Sequence, residues 1–252
     1  MPPLRLSLIT YNVWLTERWP ARAPALQRFL TLFAPDVLCL QELQRETQEF
    51  LDRVLGDCAR VQDPFAGWTN ESNIYWKKAL FEELEHGAED IGHLEAERRM
   101  FWTRLQSKSS RTIIFVATAH LTSPRYGEES ETGVSPRVRQ LKRIADQLTR
   151  RVREGEPAFF MGDMNDAWHP QRILLQAGFV SCFAALGMQS PPTFQCYPTA
   201  DVNPGERTIT EAIDLIAANK YARAIAASVP QCYAEGLAPS DHWPVQAIYE
   251  VA

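Results

Sequence analysis

The sequence predicts an α/β protein, and three observations carry that expectation. Short runs rich in β-forming residues recur along the chain. Between them lie longer stretches whose apolar residues repeat at helical spacing. Several of the runs also end in the same way, on a polar or charged residue, which is where α/β proteins place their chemistry.

Leu4 to Tyr11 is the first expected strand, and it ends at Asn12 in the string Thr10-Tyr11-Asn12-Val13-Trp14. Taken alone, Asn12 reads more readily as a cap of the strand end than as a site. Ala25 to Phe33 reads as a helix, with Leu26, Phe29, Leu30 and Phe33 on one stripe, and Pro35 stops it. Asp36 to Leu40 is a second strand, followed at once by Gln41-Glu42. A Glu leaving a buried strand is more often solvated than functional, and gains meaning only if other carboxylates converge on it. Gln44 to Leu55 reads as a helix closed at Gly56, Asn73 to Trp76 and Lys78 to Leu84 as consecutive strands, and Arg98 to Leu105 alternates as a strand does. Thr112 to Ala119 is a strong β run that terminates in His120-Leu121-Thr122. Histidine there is either a satisfied structural group or the usual residue for proton work near neutral pH.

The polar stretch from Ser123 to Ser135 has the length of a lid or binding loop. Pro136 opens a helix to about Arg151, with Val138, Leu141, Ile144, Ala145 and Leu148 as its apolar stripe. Ala158 to Met161 is a short buried strand that stops at Gly162 and delivers Asp163 and Asn165 two residues apart. In an extended loop those side chains share a face. The acid can hold a metal or a water, and the amide can donate to an oxyanion. From this stretch alone an Asx-rich turn reads equally well. Gln171 to Ala177 is a short helix closed by Gly178, and the Pro-rich segment Gln189 to Gly205 reads as loop. Glu211 to Ala217 carries Asp214 inside an apolar strand, where a carboxylate is costly unless paired. Ala224 to Val229 is another strand, and Ser240-Asp241-His242-Trp243-Pro244-Val245 leads into the last.

Composition narrows the function classes. The 252 residues are 45% hydrophobic and 23% charged, an ordinary globular balance, and no linker or repeat divides them, so one domain over residues 1–252 is expected. A net charge of −5 excludes a strongly basic nucleic-acid footprint. Arginines cluster between Arg137 and Arg143 and between Arg150 and Arg153, which fits a solvated helix face or a phosphate-facing role for one or two of them. Five cysteines without a C-x-x-C indicate neither a disulfide framework nor a zinc knuckle. The first residues lack a signal peptide's apolar stretch, and no run approaches the ~18 apolar residues needed to span a membrane. A soluble, cytoplasmic protein is expected, with no stable membrane insertion and no obligate protein partner.

Five separated strand ends thus present Asn12, Glu42, His120, Asp163 with Asn165, and Asp241 with His242. The candidate ligands are oxygen donors: Glu42 and Asp241, with Asp163 and the two amides as further possibilities. Oxygen ligation favours Mg²⁺ or Mn²⁺ over zinc. No H-E-x-x-H, Walker glycine loop, G-x-S-x-G or G-x-G-x-x-G is present to support a rival mechanism.

Taken in order, TYNVW, LQE, TAHL, GDMND, AIDLI and SDHWPV resemble the motifs of the endonuclease/exonuclease/phosphatase superfamily, and they extend over the whole chain. The resemblance implies a four-layer α/β sandwich, with two mixed β-sheets packed face to face and helices on the outer faces. It also implies a Mg²⁺-dependent hydrolase of phosphodiesters or phosphomonoesters. Carried over residue by residue, Glu42 is the main metal ligand, with Asn12 and Asp241 near the ion. Asp163 orients or deprotonates the attacking water, and Asn165 and His120 hold non-bridging phosphate oxygens. His242 contacts the phosphate or moves a proton, oriented by Asp214, which would raise the imidazole pKa from about 6.5. Glu71 stands where pancreatic-deoxyribonuclease-like members place an acid that pairs with the first histidine. Some members carry an acid two residues after the Asn; Trp14 stands there instead, which removes the support for a second metal.

Local echoes separate on substrate. His120-Leu121-Thr122, the long loop, Arg139-Gln140-Leu141 and Ser240-Asp241-His242-Trp243 resemble 5′-tyrosyl-DNA phosphodiesterases, which makes Arg139 a further candidate. Thr10-Tyr11-Asn12-Val13-Trp14 equally resembles neutral sphingomyelinases. A nucleic-acid substrate, terminal or single-stranded, is the favoured expectation, because an acidic chain suits few phosphate contacts. Trp14, Trp168 and Trp243 adjoin the motifs and could stack a base or an aromatic leaving group, although a core position is commoner for each. A lipid or small-molecule phosphodiesterase and a non-catalytic binding module on the same fold are the alternatives.

Overall fold

A computed structural model describes residues 3–124, 127–194, 196 and 211–251. The chain runs β1 (Leu4–Asn12), α1 (Ala23–Phe33), β2 (Val37–Gln41), α2 (Arg45–Val54), β3 (Cys58–Arg60), α3 (Gly67–Asn70), β4 (Ser72–Lys77), β5 (Phe81–Glu89) and β6 (Met100–Ser107). It continues through β7 (Ile113–His120), α4 (Gly127–Thr132), α5 (Pro136–Arg151), β8 (Ala158–Asp163), α6 (His169–Gln176), β9 (Val180–Ser181) and α7 (Cys182–Ala185). The last elements are β10 (Asp214–Ala218), β11 (Ala222–Ser228) and β12 (Val245–Val251).

Two six-stranded mixed sheets result, ordered β11-β12-β1-β2-β4-β3 and β5-β6-β7-β8-β10-β9. Each has one parallel pair near its centre, β1 with β2 and β7 with β8, flanked by antiparallel neighbours. Strand alternation sorts the side chains into layers. Leu6 and Leu8 from β1, Val37 and Cys39 from β2, Val116 from β7, Phe159 and Met161 from β8, and Ile216 and Ala218 from β10 fill the space between the sheets. The intervening residues face outward. Ile9, Tyr11, Leu38 and Leu40 pack under α1 and α2, while Phe115, Ala117, Phe160 and Ala217 pack under α5 and α6. The four-layer sandwich follows directly: helices, sheet, sheet, helices. Burying one of these Phe, Leu or Ile side chains stabilises the fold by about 1.5–3 kcal/mol.

Helix ends follow local chemistry. Pro24 sits in the first turn of α1 and Ala34 closes it in the left-handed conformation (φ 33°), just before Pro35. Pro136 starts α5 where expected. The stretch from Ser123 to Ser135 is not bare loop, since α4 lies within it. Buried Arg137 ties that segment down, donating to the Thr122 carbonyl at 3.0 Å and to Glu129 at 2.8 Å. The expected strand over 78–84 starts later, at Phe81, and it joins the other sheet rather than pairing with β4. The strand carrying Asp214 begins at that residue, and most of the Pro-rich segment lies outside the described residues. At the end of the sandwich far from β8's last residue, buried Arg104 of β6 holds Glu156 at 2.6 Å and Glu85 at 2.5 Å, its guanidinium near the rings of Trp102 and Phe115.

Gly162, one residue before the end of β8, is a fixed requirement. Its φ is +145°, and a Cβ there would stand 2.1 Å from the Ala119 carbonyl oxygen on the neighbouring strand. Backbone atoms cannot yield as a flexible side chain does. Gly162→Ala is therefore expected to destabilise by about 3 kcal/mol, combining strain and overpacking. Urea unfolding measures this, and a loss under about 1 kcal/mol would count against the close approach.

Candidate active site

The rows of side chains between the sheets change character at one end. In β1 the inward row reads Leu6, Leu8, Thr10, Asn12; in β8 it reads Phe159, Met161, Asp163. The β7 row ends in Thr118 and His120, and the β10 row starts at Asp214. Register aligns these polar ends. His120 pairs with Asp163 across the parallel ladder, and Asp163 pairs with Asp214 across the antiparallel one. In the facing sheet Asn12 pairs with Gln41, and Glu42 follows. One mouth therefore receives residues from the carboxyl ends of both parallel pairs.

Asp163 is the centre of this mouth and is 1% exposed. Its Oδ2 accepts from Asn12 Nδ2 at 2.9 Å, and lies 3.4 Å from His120 Nε2 and 3.7 Å from His242 Nε2. Its Oδ1 accepts from the Asn165 backbone N–H at 2.8 Å. The Asx turn and the site are thus the same residue, one oxygen for each. Both imidazoles are fixed from behind. His120 Nδ1 meets Glu71 Oε1 at 2.8 Å, and His242 Nδ1 meets Asp214 Oδ2 at 2.9 Å. Burial opposes a charge on His242, but Asp214 and then Asp163 outweigh it and hold its pKa well above the usual value. Burial and Arg98 likewise oppose a charge on His120, and Glu71 with Asp163 raises it nonetheless. Burial pushes Glu71 up, while His120 and Arg98 bring it below the ordinary value.

The cleft over these groups has a volume of about 430 Å³ and is lined by Trp14, Glu42, Arg98, His120, Asp163, Asn165, Phe194, Glu211, Asp241 and His242, among others. Four non-glycine residues at its edge hold positive φ: Trp14 (58°), Leu15 (46°), Glu42 (55°) and Asn165 (48°). Such strain persists only where the surroundings over-determine it, and it gathers at functional sites. Asp241 has its pKa pushed up to about 6, chiefly by burial, with Glu42 and Asp163 adding to it against His242. Clustered acids at a buried position fit a cation that would neutralise them. The donors that could hold a hard divalent ion are carboxylate oxygens of Glu42 and Asp241 and the Asn12 amide oxygen, which already accepts from the Trp14 N–H at 2.9 Å and keeps a second lone pair. Asp163, Asp214 and His242 also converge within 4.8 Å, but Asp214 and His242 already bond each other, so this trio reads as a proton-holding pair beside Asp163.

The structure thus brings together Asn12, Glu42, Glu71, His120, Asp163, Asn165, Asp214, Asp241 and His242. Trp14 lines the cleft. Trp168 does not: it is 82% exposed and lines an adjoining groove of about 760 Å³ with Met188, Pro191 and Pro192, which shares Glu211 with the cleft. Arg139 is exposed on α5 and outside the cleft lining; Arg137 and Gln140 are the residues of that turn that face inward. Trp243 is buried against Tyr233, Cys196 and Ala238, a core position rather than a stacking surface. The sequence did not single out several cleft residues, among them Glu17, Arg98, Phe194 and Glu211. Arg98, in the loop before β6, sits 3.2 Å from Glu71 and 3.3 Å from His120 Nε2. Phe194 lays its ring 4.8 Å from the His242 ring.

The fold and the paired mouth define a class. The sequence matches the Endonuclease/Exonuclease/phosphatase family over residues 9–242, and the chain belongs to that family. Members generally hydrolyse phosphoester bonds and depend on divalent metals. No curated protein is a significant sequence match. Among solved structures, a D. rerio TDP2 complexed with single strand DNA product is similar at 20% identity and TM-score 0.76, covering 97% of this chain and 98% of that one. An endonuclease/exonuclease/phosphatase family protein from Bacteroides thetaiotaomicron is similar at 14% identity and TM-score 0.79, covering all of both chains. TDP2 from Caenorhabditis elegans is similar at 18% identity and TM-score 0.78, covering 98% of this chain and 75% of that one.

His242 takes its raised pKa first from Asp214. Its protonated form contributes stability below about 6.5 that is lost as pH rises through the raised value. Asp214→Asn is expected to bring the His242 pKa down, read by NMR titration of the imidazole resonances without divalent ions. An unchanged titration would dissociate Asp214 from the charge on His242.

Proposed function

We propose that the chain is a Mg²⁺- or Mn²⁺-dependent phosphodiesterase acting on nucleic acid, at an end or a single-stranded stretch, with a 5′-tyrosyl-DNA phosphodiesterase-like reaction as the specific form. The observation that carries the reading is the flanking of Asp163 by two carboxylate-backed histidines, beside the acids Glu42 and Asp241.

In this reading Glu42 is the main metal ligand, assisted by Asp241 and the Asn12 oxygen. A divalent ion held there supplies polarisation of the phosphoryl oxygens and stabilises charge on the leaving oxygen. Asp163 holds and deprotonates the attacking water. Its Oδ2 is kept in place by Asn12 Nδ2, so the carboxylate cannot rotate away. His120 and His242 face the non-bridging oxygens through Nε2, each with its other nitrogen held by a carboxylate. Asn165 gives one amide N–H to the Leu121 carbonyl at 3.0 Å, and the other serves the phosphate.

Two things support nucleic acid, and the net charge of −5 weighs against an extended phosphate footprint, which leaves an end or a short single strand. The similar D. rerio structure holds a single strand DNA product. Trp168 stands exposed in the groove beside the cleft, where an unstacked base can lie on the indole. Among the described residues no helix is long and apolar enough to cross a membrane.

Asp163→Asn is expected to lower turnover at least ~100-fold on a 5′-tyrosyl oligonucleotide with Mg²⁺. Sphingomyelin and a generic phosphodiester run beside it as competitors; faster cleavage of sphingomyelin would favour a lipid enzyme, and no cleavage with any divalent ion a binding module. Trp168→Ala should raise KM for the oligonucleotide about tenfold, within the ~1–3 kcal/mol of one stacked base, with kcat held within about twofold. An unchanged KM would remove Trp168 from the substrate path.

A further inference from the structure

Arg22 has no part in the roles described above, yet it is fully buried. It lies on the turn between β1 and α1, at the N-cap of the helix. Its guanidinium donates to four carbonyl oxygens: Glu17 at 2.6 Å, Val13 at 3.1 Å, Trp14 at 3.0 Å and Pro239. Three of these belong to the turn that follows Asn12. The fourth belongs to the turn that precedes Asp241. None is a carboxylate. The cation also lies 5.1 Å from the Trp14 ring centroid and 5.8 Å from that of Trp19.

We propose that Arg22 is a positioning residue for the cation-binding side of the cleft: it clamps the turn after Asn12 to the turn before Asp241, so that oxygen donors from opposite ends of the chain keep one spacing. The inference rests on the metal-ion reading given under Proposed function. Three features argue for it. The turn it holds contains Trp14, Leu15 and Arg18 at positive φ (58°, 46° and 52°), a conformation that needs external restraint. Arg22 and Pro239 are 217 residues apart in sequence, and a hydroxyl also joins the two turns, Ser240 Oγ donating to the Asn12 carbonyl at 2.7 Å. Finally, an ordinary tether needs no charge, and burying an unpaired guanidinium is expensive. Here Asp241, Glu17 and Glu42 lie within electrostatic reach of the buried guanidinium and favour its charge.

Arg22→Lys separates geometry from charge, because lysine keeps the cation and loses the planar fork of donors. Mn²⁺ binding is titrated by the EPR signal of free ion, at a temperature where all variants are folded by circular dichroism. Arg104→Lys serves as the control, since Arg104 is a buried arginine at the other end of the sandwich. Arg22→Lys is expected to weaken Mn²⁺ about tenfold or more, the scale of losing a group that orients a ligand, and to speed amide hydrogen exchange in residues 13–19 and 238–242. Arg104→Lys should leave the affinity within about twofold of wild type, the size of an ordinary change outside the site. If Arg22→Lys binds Mn²⁺ as wild type does, or if both variants weaken it equally, the clamp is overturned while the metal reading stands. If wild type itself binds no Mn²⁺, the metal reading falls first and the clamp with it. Should Arg22→Lys fail to fold, Trp19→Leu removes one flanking ring without removing a hydrogen bond to the guanidinium. Binding about threefold weaker, less than the ~10-fold of losing an orienting hydrogen bond outright, then supports the clamp, and unchanged binding overturns it.

Discussion

The hydrogen bond from Asn12 to Asp163 joins the last residue of a strand in one sheet to the last residue of a strand in the other. Everything at the mouth is referred to it. A carboxylate this deeply buried must be satisfied by donors; the Asn12 amide and the Asn165 backbone N–H supply them, and the His120 and His242 rings stand 3.4 and 3.7 Å away. Each imidazole can face Asp163 only because a second carboxylate holds its far nitrogen. The two Asp–His and Glu–His pairs are therefore extensions of the same demand. A second polar rung lies one layer deeper, where Gln41 of β2 donates to Thr118 of β7 at 2.8 Å and accepts from Thr10. The mouth is thus held by polar bonds, and the body behind it by apolar packing.

This division explains what was legible in the sequence. Strand ends are visible because an apolar run stops abruptly, and Asn12, Glu42, His120 and Asp163 each sit at such a stop. Alternation then fixes which face they share, since Asp163 has the same parity as Phe159 and Met161. Asp214 announced a partner through the cost of burying an unpaired acid, and His242 at 2.9 Å is that partner. Arg98, Phe194 and Arg22 left no such trace. They lie outside the regular elements, Arg98 just before β6 although the alternation was read from it, and their contacts with Glu71, His120, His242 and Pro239 lie far along the chain. Trp243 takes the core position that is commoner for a tryptophan beside a motif: adjacency in sequence says nothing about which way a ring turns, and this one turns inward. The strand at 78–84 was misplaced because a turn and an apolar start look alike locally, and only the packing shows that β4 and β5 part company into different sheets.

The cleft is mixed in charge despite an acidic chain. Arg98 contributes a guanidinium to one wall, beside Glu71 and Glu95. Glu42, Glu211 and Asp241 contribute carboxylates, and Phe194 and Trp14 contribute rings. An anionic ligand entering such a space meets repulsion as well as attraction unless a cation is present. That is the electrostatic pattern expected of a site that is completed by a divalent ion rather than by a bed of lysines. The neighbouring groove, which shares Glu211 with the cleft, sets Trp168, Met188, Pro191 and Pro192 beside Gln171, Ser181, Gln189 and Ser190.

The inward rows that fill the sandwich are the same rows that end in Asn12, His120, Asp163 and Asp214. Side-chain volume deep inside the molecule therefore acts as a shim under the reactive groups. Trimming or enlarging Met161, Ile216 or Leu8 would shift how far apart the two walls of the opening stand, although none of them touches a ligand. In close-packed interiors a single methylene is enough to be felt. The calibration of this opening resides as much in its hydrocarbon as in its acids and imidazoles.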